Sequence, residues 1–387
     1  MKRILSLLAL LIHILSFNSC SPDKNNEFWN GGEAVFEIQK VFTDERFPNV
    51  VVAMDGSVIA TWGSKNIRVK RSEDGGESWG PAITVTNPGF QGGGALVDES
   101  TGDILMFVEV GHPPAPLTIY RSRDNGKTWK PEKANIKPNS LGHVPSMHMN
   151  EHGITLKQDP FKGRLIRPSR YYGEGNGRQY WDSHYTNAIY SDDGGNTWQA
   201  SEPFPAYGTG EAAIAELDDG TLYYNSRRHK STDGLNPRMR HIAWSHNGGK
   251  TWENLSVSPD LPDGAQHTDY GLMAGLVRLP VDGYNILIFS NIDVPAETSD
   301  EEVPFELRTS RRFNGTIWAS FDGGKSWPVK RVADEGSFAY SSLAAGREGT
   351  PSEGIIYLMY ESDGGAKMAR FNLAWLTHGE DWKKFIP

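Results

Sequence analysis

The sequence predicts an all-β chain folded as a six-bladed β-propeller, and three observations carry that prediction. First, the pattern Ser-x-Asp-x-Gly-x-(Ser/Thr)-Trp occurs five times, at Ser72 to Trp79, Ser122 to Trp129, Ser191 to Trp198, Ser245 to Trp252 and Ser320 to Trp327. Second, the starts of these boxes are 50, 69, 54 and 75 residues apart, room for one four-stranded unit with loops of varying length. Third, 42 Gly, 23 Pro and 11% aromatic residues give a turn-rich, aromatic-rich composition, which argues against coiled coils, helical repeats and general disorder.

The N-terminus reads as an address. Met1-Lys2-Arg3 supplies a positive start, and Ile4 to Phe17 is an apolar run broken by Ser6, His13 and Ser16. The run is short for a membrane span and has the form of a secretory signal. Cys20, the single cysteine of the chain, follows Asn18-Ser19 and resembles a bacterial lipoprotein cleavage site. Residues 1–20 are therefore expected to be a lipoprotein signal ending at a lipidated Cys20, and 21–32 a polar tether. An exported outer-membrane or cell-surface lipoprotein is the expectation, with a periplasmic or secreted protein as the alternative. A single cysteine forms no intrachain disulfide and no multi-cysteine metal site.

Residues 33–387 hold the propeller, about 59 residues for each of six blades. In each box Asp-Gly, Asn-Gly or Asp-Asn tolerates positive φ at a hairpin turn, and the Asp accepts bonds from the turn's own N–H groups. The fourth box carries Asn247 in place of Asp. A strand-like run such as Asn66 to Lys70 precedes each box, and the Trp is placed to pack over the turn. The boxes are expected to hold turns at the rim and to do no chemistry. Closure pairs strands from the two chain ends, so one blade can lack a box.

Charge narrows the partners. With 39 Lys+Arg against 48 Asp+Glu the net charge is -9, which disfavours non-specific binding to nucleic acid. A local arginine cluster can still receive an anionic small molecule.

The boxes and the segments between them resemble the sialidase (neuraminidase) superfamily across nearly the whole mature chain. Glu45 to Pro48, then Val50 to Val52 and Asp55 to Ile59, look like the Arg-Ile-Pro opening of sialidases, with Arg46 as the first substrate-binding arginine. Gly208 to Gly220 is similar to the segment bearing the catalytic glutamate, here Glu211. Tyr224 to Arg227 matches the strand of the second arginine, and Phe289 to Asn291 followed by Arg312 to Ser320 matches that of the third. Phe338 to Leu343 resembles the nucleophile segment, with Tyr340, and Tyr357 to Glu361 the strand whose glutamate braces the first arginine.

The chemistry of a sialic acid suits these residues. Its anomeric carbon bears a carboxylate, and guanidinium groups grip carboxylates through paired bonds, so Arg46, Arg227 and Arg312 form an anion clamp. A carboxylate nucleophile would be repelled by that substrate carboxylate. A tyrosine avoids the repulsion but needs a base, because its pKa is about 10; Glu211 is the partner for Tyr340. Strand alternation sends Arg227 and Arg228 to opposite faces, and likewise Arg311 and Arg312, so a slip of one residue would exchange them.

One family feature is missing. The loop that carries the acid/base aspartate is deleted, and the chain contains no aspartate between Asp55 and Asp74. Glu109, His112, Glu174 and Asp182 are the candidates to replace it. His148 to His152 matches the His-x-x-Glu-His pattern of a metalloprotease class, but the surrounding Pro145 and Gly153 to Leu156 have loop-to-strand composition, not that of the required helix. Those histidines are expected on a pocket loop or the surface. Gly92 to Gly94 reads as a turn. The resemblance implies an exo-acting retaining hydrolase of terminal sialic acid or a related 2-keto sugar acid, with no cofactor or metal, acting on sialylated or other acidic glycans. The alternatives are a non-hydrolytic glycan-binding propeller and a hydrolase or lyase for another acidic polysaccharide.

Overall fold

The computed structural model describes residues 29, 32–230, 233–267, 271–299, 301 and 311–387; the signal segment and Cys20 lie outside them. The strands form six sheets arranged as blades. Blade 1 comprises, after β1 (Phe36–Phe42), strands β2 (Pro48–Val52), β3 (Val58–Trp62), β4 (Ile67–Ser72) and β5 (Ile83–Thr86). Blade 2 holds β6 (Phe90–Val97), β7 (Ile104–Glu109), β8 (Leu117–Ser122) and β9 (Lys130–Lys133). Blade 3 holds β10 (Ile136–Lys137), β11 (Ile154–Thr155), β12 (Leu165–Tyr171), β13 (Tyr185–Ser191) and β14 (Trp198–Ala200), with β10 as an added outer strand parallel to β14. Blade 4 is β15 (Thr209–Glu216), β16 (Leu222–Arg228), β17 (Met239–Ser245) and β18 (Glu253–Pro262). Blade 5 is β19 (Gly275–Arg278), β20 (Leu287–Ile292), β21 (Phe313–Ser320) and β22 (Val329–Ser337). Blade 6 is β23 (Ser341–Ala345), β24 (Ile356–Ser362) and β25 (Gly365–Phe371), completed by β1.

Closure explains the count of boxes. Each box is the turn between the third and fourth strands of its blade. In blade 6 those strands are β25 and β1, the two ends of the propeller, paired antiparallel from Phe36 against Phe371. A turn there would join the ends of the chain, so the sixth box has no place to exist. Near the start, Trp29 is 4% exposed and packs into the largest apolar cluster.

The boxes do more than hold turns. In the second, Asp124 accepts from Ser122 Oγ (2.8 Å), Thr128 N (2.9 Å) and Thr128 Oγ1 (2.6 Å), while Gly126 N donates to Ser122 Oγ (2.8 Å). Asn247 keeps the pattern in the fourth box by donating Nδ2 to Thr251 Oγ1 at 2.7 Å. The glycine two residues after the Asp or Asn of every box is also pressed against the preceding blade. A Cβ on Gly195 would meet Leu105 at 2.6 Å and one on Gly249 would meet Ile166 at 2.1 Å, both at positive φ. The neighbouring carbonyls take bonds across the same gap: Arg71 Nε to Asn125 O (2.7 Å), Arg121 Nη2 to Gly194 O (2.9 Å), Arg164 Nη1 to Gly248 O (2.9 Å) and Tyr357 Oη to Gly75 O (2.9 Å). Each box therefore staples one blade to the one before it.

Around the axis the inner strands are buried on both faces, as β15 is at all eight positions. Ser342 Oγ donates to Glu151 Oε1 at 2.6 Å and accepts from Val50 N at 3.1 Å, and Asn49 Oδ1 accepts from Ala95 N at 3.0 Å. The His148 to His152 segment contributes to this hub. It is a loop with a turn at His148 and Met149 rather than a helix, and His148 and Glu151 are buried, not on the surface. Gly92 to Gly94 is a bulge inside β6, not a turn. Gly93 and Gly94, at φ 75 and 79, let three successive carbonyls arch over the buried Arg167 guanidinium, which donates to Gly92, Gly93 and Gly94 O at 3.1, 2.6 and 3.2 Å.

Candidate active site

The starts of first strands, the ends of second strands and the starts of third strands all fall on the propeller face opposite the boxes. Arg46 and Tyr340 precede the inner strands β2 and β23, and Glu211 lies near the start of β15. Arg227 and Glu361 lie near the ends of second strands β16 and β24, and Arg312 precedes the third strand β21. Topology alone thus sends six residues, distant in sequence, to one end of the axis.

There they converge on the Tyr340 ring. The guanidinium carbons of Arg46, Arg227 and Arg312 stand 5.2, 6.0 and 5.3 Å from its centroid. Arg227 Nη1 donates to Tyr340 Oη at 3.0 Å and to Glu211 Oε2 at 2.9 Å, and Tyr340 Oη donates to Glu211 Oε1 at 3.4 Å. Arg46 binds Glu361 in paired fashion, Nε to Oε1 at 3.1 Å and Nη2 to Oε2 at 3.0 Å. Phe47 N also donates to Glu361 Oε1 at 3.1 Å. The Arg46 side chain is 47% exposed, so it is braced from behind yet open in front. Its neighbours Glu45 and Phe47 both have positive φ, 58 and 82, a costly backbone pair that turns Arg46 inward.

Register is settled by partners. Arg228 faces away and pairs with Asp233 at 2.8 Å, and Arg311 Nη1 donates to Thr298 O at 2.8 Å. Arg227 and Arg312 are the members that face Tyr340.

Electrostatics keep Glu211 ionised. Burial pushes Glu211 up, but the adjacent Arg227 and Arg170 outweigh it and hold the carboxyl below its ordinary value. Burial likewise lowers Arg46, and its pairing with Glu361 more than reverses this.

The sequence reading missed Arg170. It is 2% exposed and ends the second strand of blade 3, the place that Arg227 and Glu361 hold in theirs. Its Nη2 lies 2.7 Å from His184 Nδ1 and its Nη1 3.3 Å from His229 Nε2. Burial, reinforced by the Arg170 charge, pushes His184 down to about 4 and His229 well below its ordinary value, so both are neutral and accept from the guanidinium. His229 Nε2 is 3.5 Å from Glu211 Oε2. Aligning the blades on their boxes was the signal that could have singled out Arg170.

The β3–β4 connection, where the sequence reading finds no acid/base aspartate, is compact. The connection between β3 and β4 is only residues 63–66, and Glu45 Oε2 accepts the N–H groups of Ser64, Lys65 and Asn66 at 2.8, 2.8 and 3.2 Å. One carboxylate thus caps the shortened loop. Of the four acid candidates, Glu109 is 1% exposed, accepts from Met147 N at 3.0 Å and is pushed up to about 8 by burial. Asp182 is paired with Lys230 at 2.8 Å on the surface. Glu174 is exposed on the loop after β12. His112 is exposed between β7 and β8, its ring against Phe90, His148 and Tyr172. Among the described residues there is no group of three His, Cys, Asp or Glu placed to hold a metal ion.

Comparison with known proteins bears on the family and the fold. The BNR repeat-like domain family matches residues 61–352. A sialidase of Micromonospora viridifaciens is 30% identical over 89% of the chain and 55% of its own length, and one of Bacteroides fragilis is 25% identical over 77% and 57%. The chain thus spans little more than half the length of these relatives. Among solved structures, the Hadza microbial sialidase Hz136 superposes with a TM-score of 0.66 at 25% identity, over 86% of this chain and 66% of that one. The Ruminococcus gnavus intramolecular trans-sialidase shares the fold, with a TM-score of 0.63 at 16% identity over 87% and 95%.

Proposed function

Since the chain belongs to the sialidase/BNR-repeat family, we propose that it is an exo-acting, retaining glycoside hydrolase that releases terminal sialic acid or a related 2-keto sugar acid from glycans. The observation that carries this is the contact of one arginine nitrogen, Arg227 Nη1, with both Tyr340 Oη and Glu211, inside a ring of three guanidinium groups.

In this reading Arg46, Arg227 and Arg312 bind the substrate carboxylate and so set the anomeric carbon over Tyr340. Glu211, held as a carboxylate, takes the phenolic proton as Tyr340 Oη attacks C2 and the C2–O bond to the aglycone breaks, the electron pair leaving with the aglycone oxygen. The Arg227 bond to Tyr340 Oη stabilises the oxyanion that forms when the phenol loses its proton. Water then attacks C2 of the tyrosyl-linked sugar, C2–Oη breaks, Glu211 returns the proton to Tyr340, and the proton lost by the water restores the one taken up by the departing aglycone oxygen. Cys20 is proposed to carry the lipid that holds the exported enzyme at a membrane surface.

Hydrolysis of a 4-methylumbelliferyl sialoside tests the reading, because a phenol leaves with little acid assistance. Release of fluorophore is the expected result. Sialic acid binding without release would favour the glycan-binding propeller, for which the shortened 63–66 loop is the supporting observation. Neither binding nor release would move the clamp to another acidic sugar.

A further inference from the structure

Resting on the hydrolase reading above, we propose that His112 supplies the acid/base function that the shortened 63–66 loop no longer provides. The place left open by that loop, in front of the half-exposed Arg46, is bordered by the corresponding connection of the next blade, residues 110–116, and His112 lies on it. Its ring caps an aromatic wall that leads directly to the nucleophile. His112 stands 4.6 Å from His148, 5.6 Å from Phe90 and 5.8 Å from Tyr172; Phe90 stands 5.3 Å from Phe47, which stacks on Tyr340 at 6.2 Å. Of that wall His112 is the exposed member, open to a sugar held in front of Tyr340. Glu109 is buried and committed to Met147 N, and Asp182 is committed to Lys230.

The tautomer suits the task. His112 Nδ1 lies 3.1 Å from Pro113 O, and a carbonyl only accepts, so Nδ1 carries hydrogen and Nε2 is left to exchange protons. As Tyr340 Oη bonds to C2, the C2–O bond to the leaving sugar breaks and its electron pair takes the Nε2 proton, giving a neutral alcohol. In the second half Nε2 accepts a proton from the water that attacks C2, which restores the imidazolium. The charged and titratable groups facing the ring are His148, Tyr172, Arg170 and Glu211. Partial desolvation of the ring against its aromatic neighbours lowers the His112 pKa most; the bond to the Pro113 carbonyl opposes this, Arg170 lowers it further, and Glu211 has the smallest, raising effect. The imidazolium is therefore lost below the ordinary histidine value of about 6.5 as pH rises.

Wild type, His112→Asn and His112→Gln are compared on 3′-sialyl-lactose and on the 4-methylumbelliferyl sialoside, with melting temperatures to show that the exposed substitution leaves the fold intact. The expected result is a fall in kcat/KM of ~100-fold or more on sialyl-lactose and well under ~10-fold on the aryl sialoside. The alkaline limb of the wild-type sialyl-lactose profile should vanish in both variants. Equal losses on both substrates, or no loss on sialyl-lactose, would overturn the assignment while leaving the sialidase reading intact. A wild type that cleaves neither substrate would overturn both.

Discussion

Arg227 and Tyr340 are joined by a 3.0 Å bond from Nη1 to the phenolic oxygen, and the same nitrogen holds Glu211 at 2.9 Å. In the proposed mechanism, nucleophile, base and one arm of the anion clamp are therefore a single hydrogen-bonded unit. Burial of Arg227 at 0% exposure removes water from that unit, which strengthens each bond and leaves little freedom to misalign.

The brace behind the clamp gives the first prediction. Glu361→Gln replaces one oxygen of the paired contact with an amide that cannot accept from Arg46. A charge-assisted bond is worth about 1.5–3 kcal/mol, so KM for a sialoside should rise by roughly one to two orders of magnitude with a smaller change in kcat. Steady-state kinetics on the aryl sialoside check it; an unchanged KM would show that Arg46 needs no brace.

The second prediction concerns pH. Because Arg227 and Arg170 outweigh burial at Glu211, the carboxylate persists below the ordinary value of 4.5, and the acid limb for an aryl sialoside should lie below that value. Arg170→Met removes one of the two charges, so Glu211 rises and the limb should move to higher pH. Arg170→Lys keeps the charge and should leave the limb near its wild-type position. A limb that stays put in Arg170→Met would mean that this arginine does not act on Glu211.

The third concerns the boxes. Asp124→Ala removes an acceptor for the Thr128 hydroxyl and for the N–H groups of Lys127 and Thr128, and loosens the turn whose Asn125 carbonyl receives Arg71. A loss of about 1–3 kcal/mol is expected, seen as a melting temperature lower by several degrees. The inhibition constant of a sialic acid analogue should stay within about twofold. Calorimetry and inhibition kinetics on the same preparation check both halves.

What was legible in the sequence followed from local chemistry. Five boxes marked five blades because Ser, Asp, Gly and Trp are needed at fixed offsets in one turn. Arg46, Glu211, Arg227, Arg312, Tyr340 and Glu361 were placed by motif context, and the structure brings all six to one ring. What stayed hidden depends on contacts between distant segments. The glycine two residues after each box Asp or Asn is required by the preceding blade as much as by its own φ, and no single box reveals that. Arg170 looks like any strand arginine until β12 is laid beside β16 and β24. Gly92 to Gly94 carries turn composition, and only the buried Arg167 guanidinium that its carbonyls receive makes it a bulge. Glu45 precedes Arg46 as an unremarked acid until the shortened loop wraps its carboxylate.

The most direct test of the central claim is to trap the sugar on its nucleophile. A 2,3-difluorinated sialic acid loses fluoride from C2 unaided, while fluorine at C3 disfavours the cationic transition state and so slows hydrolysis of the covalent intermediate. After incubation and tryptic digestion, the peptide spanning residues 332–347, in which Tyr340 is the single tyrosine, is read by mass spectrometry. The account predicts that this peptide gains one fluorosialosyl group on Tyr340 in the wild type and none in Tyr340→Phe. Time-dependent loss of activity with the label on any other residue, or an active enzyme that carries no label, would contradict it.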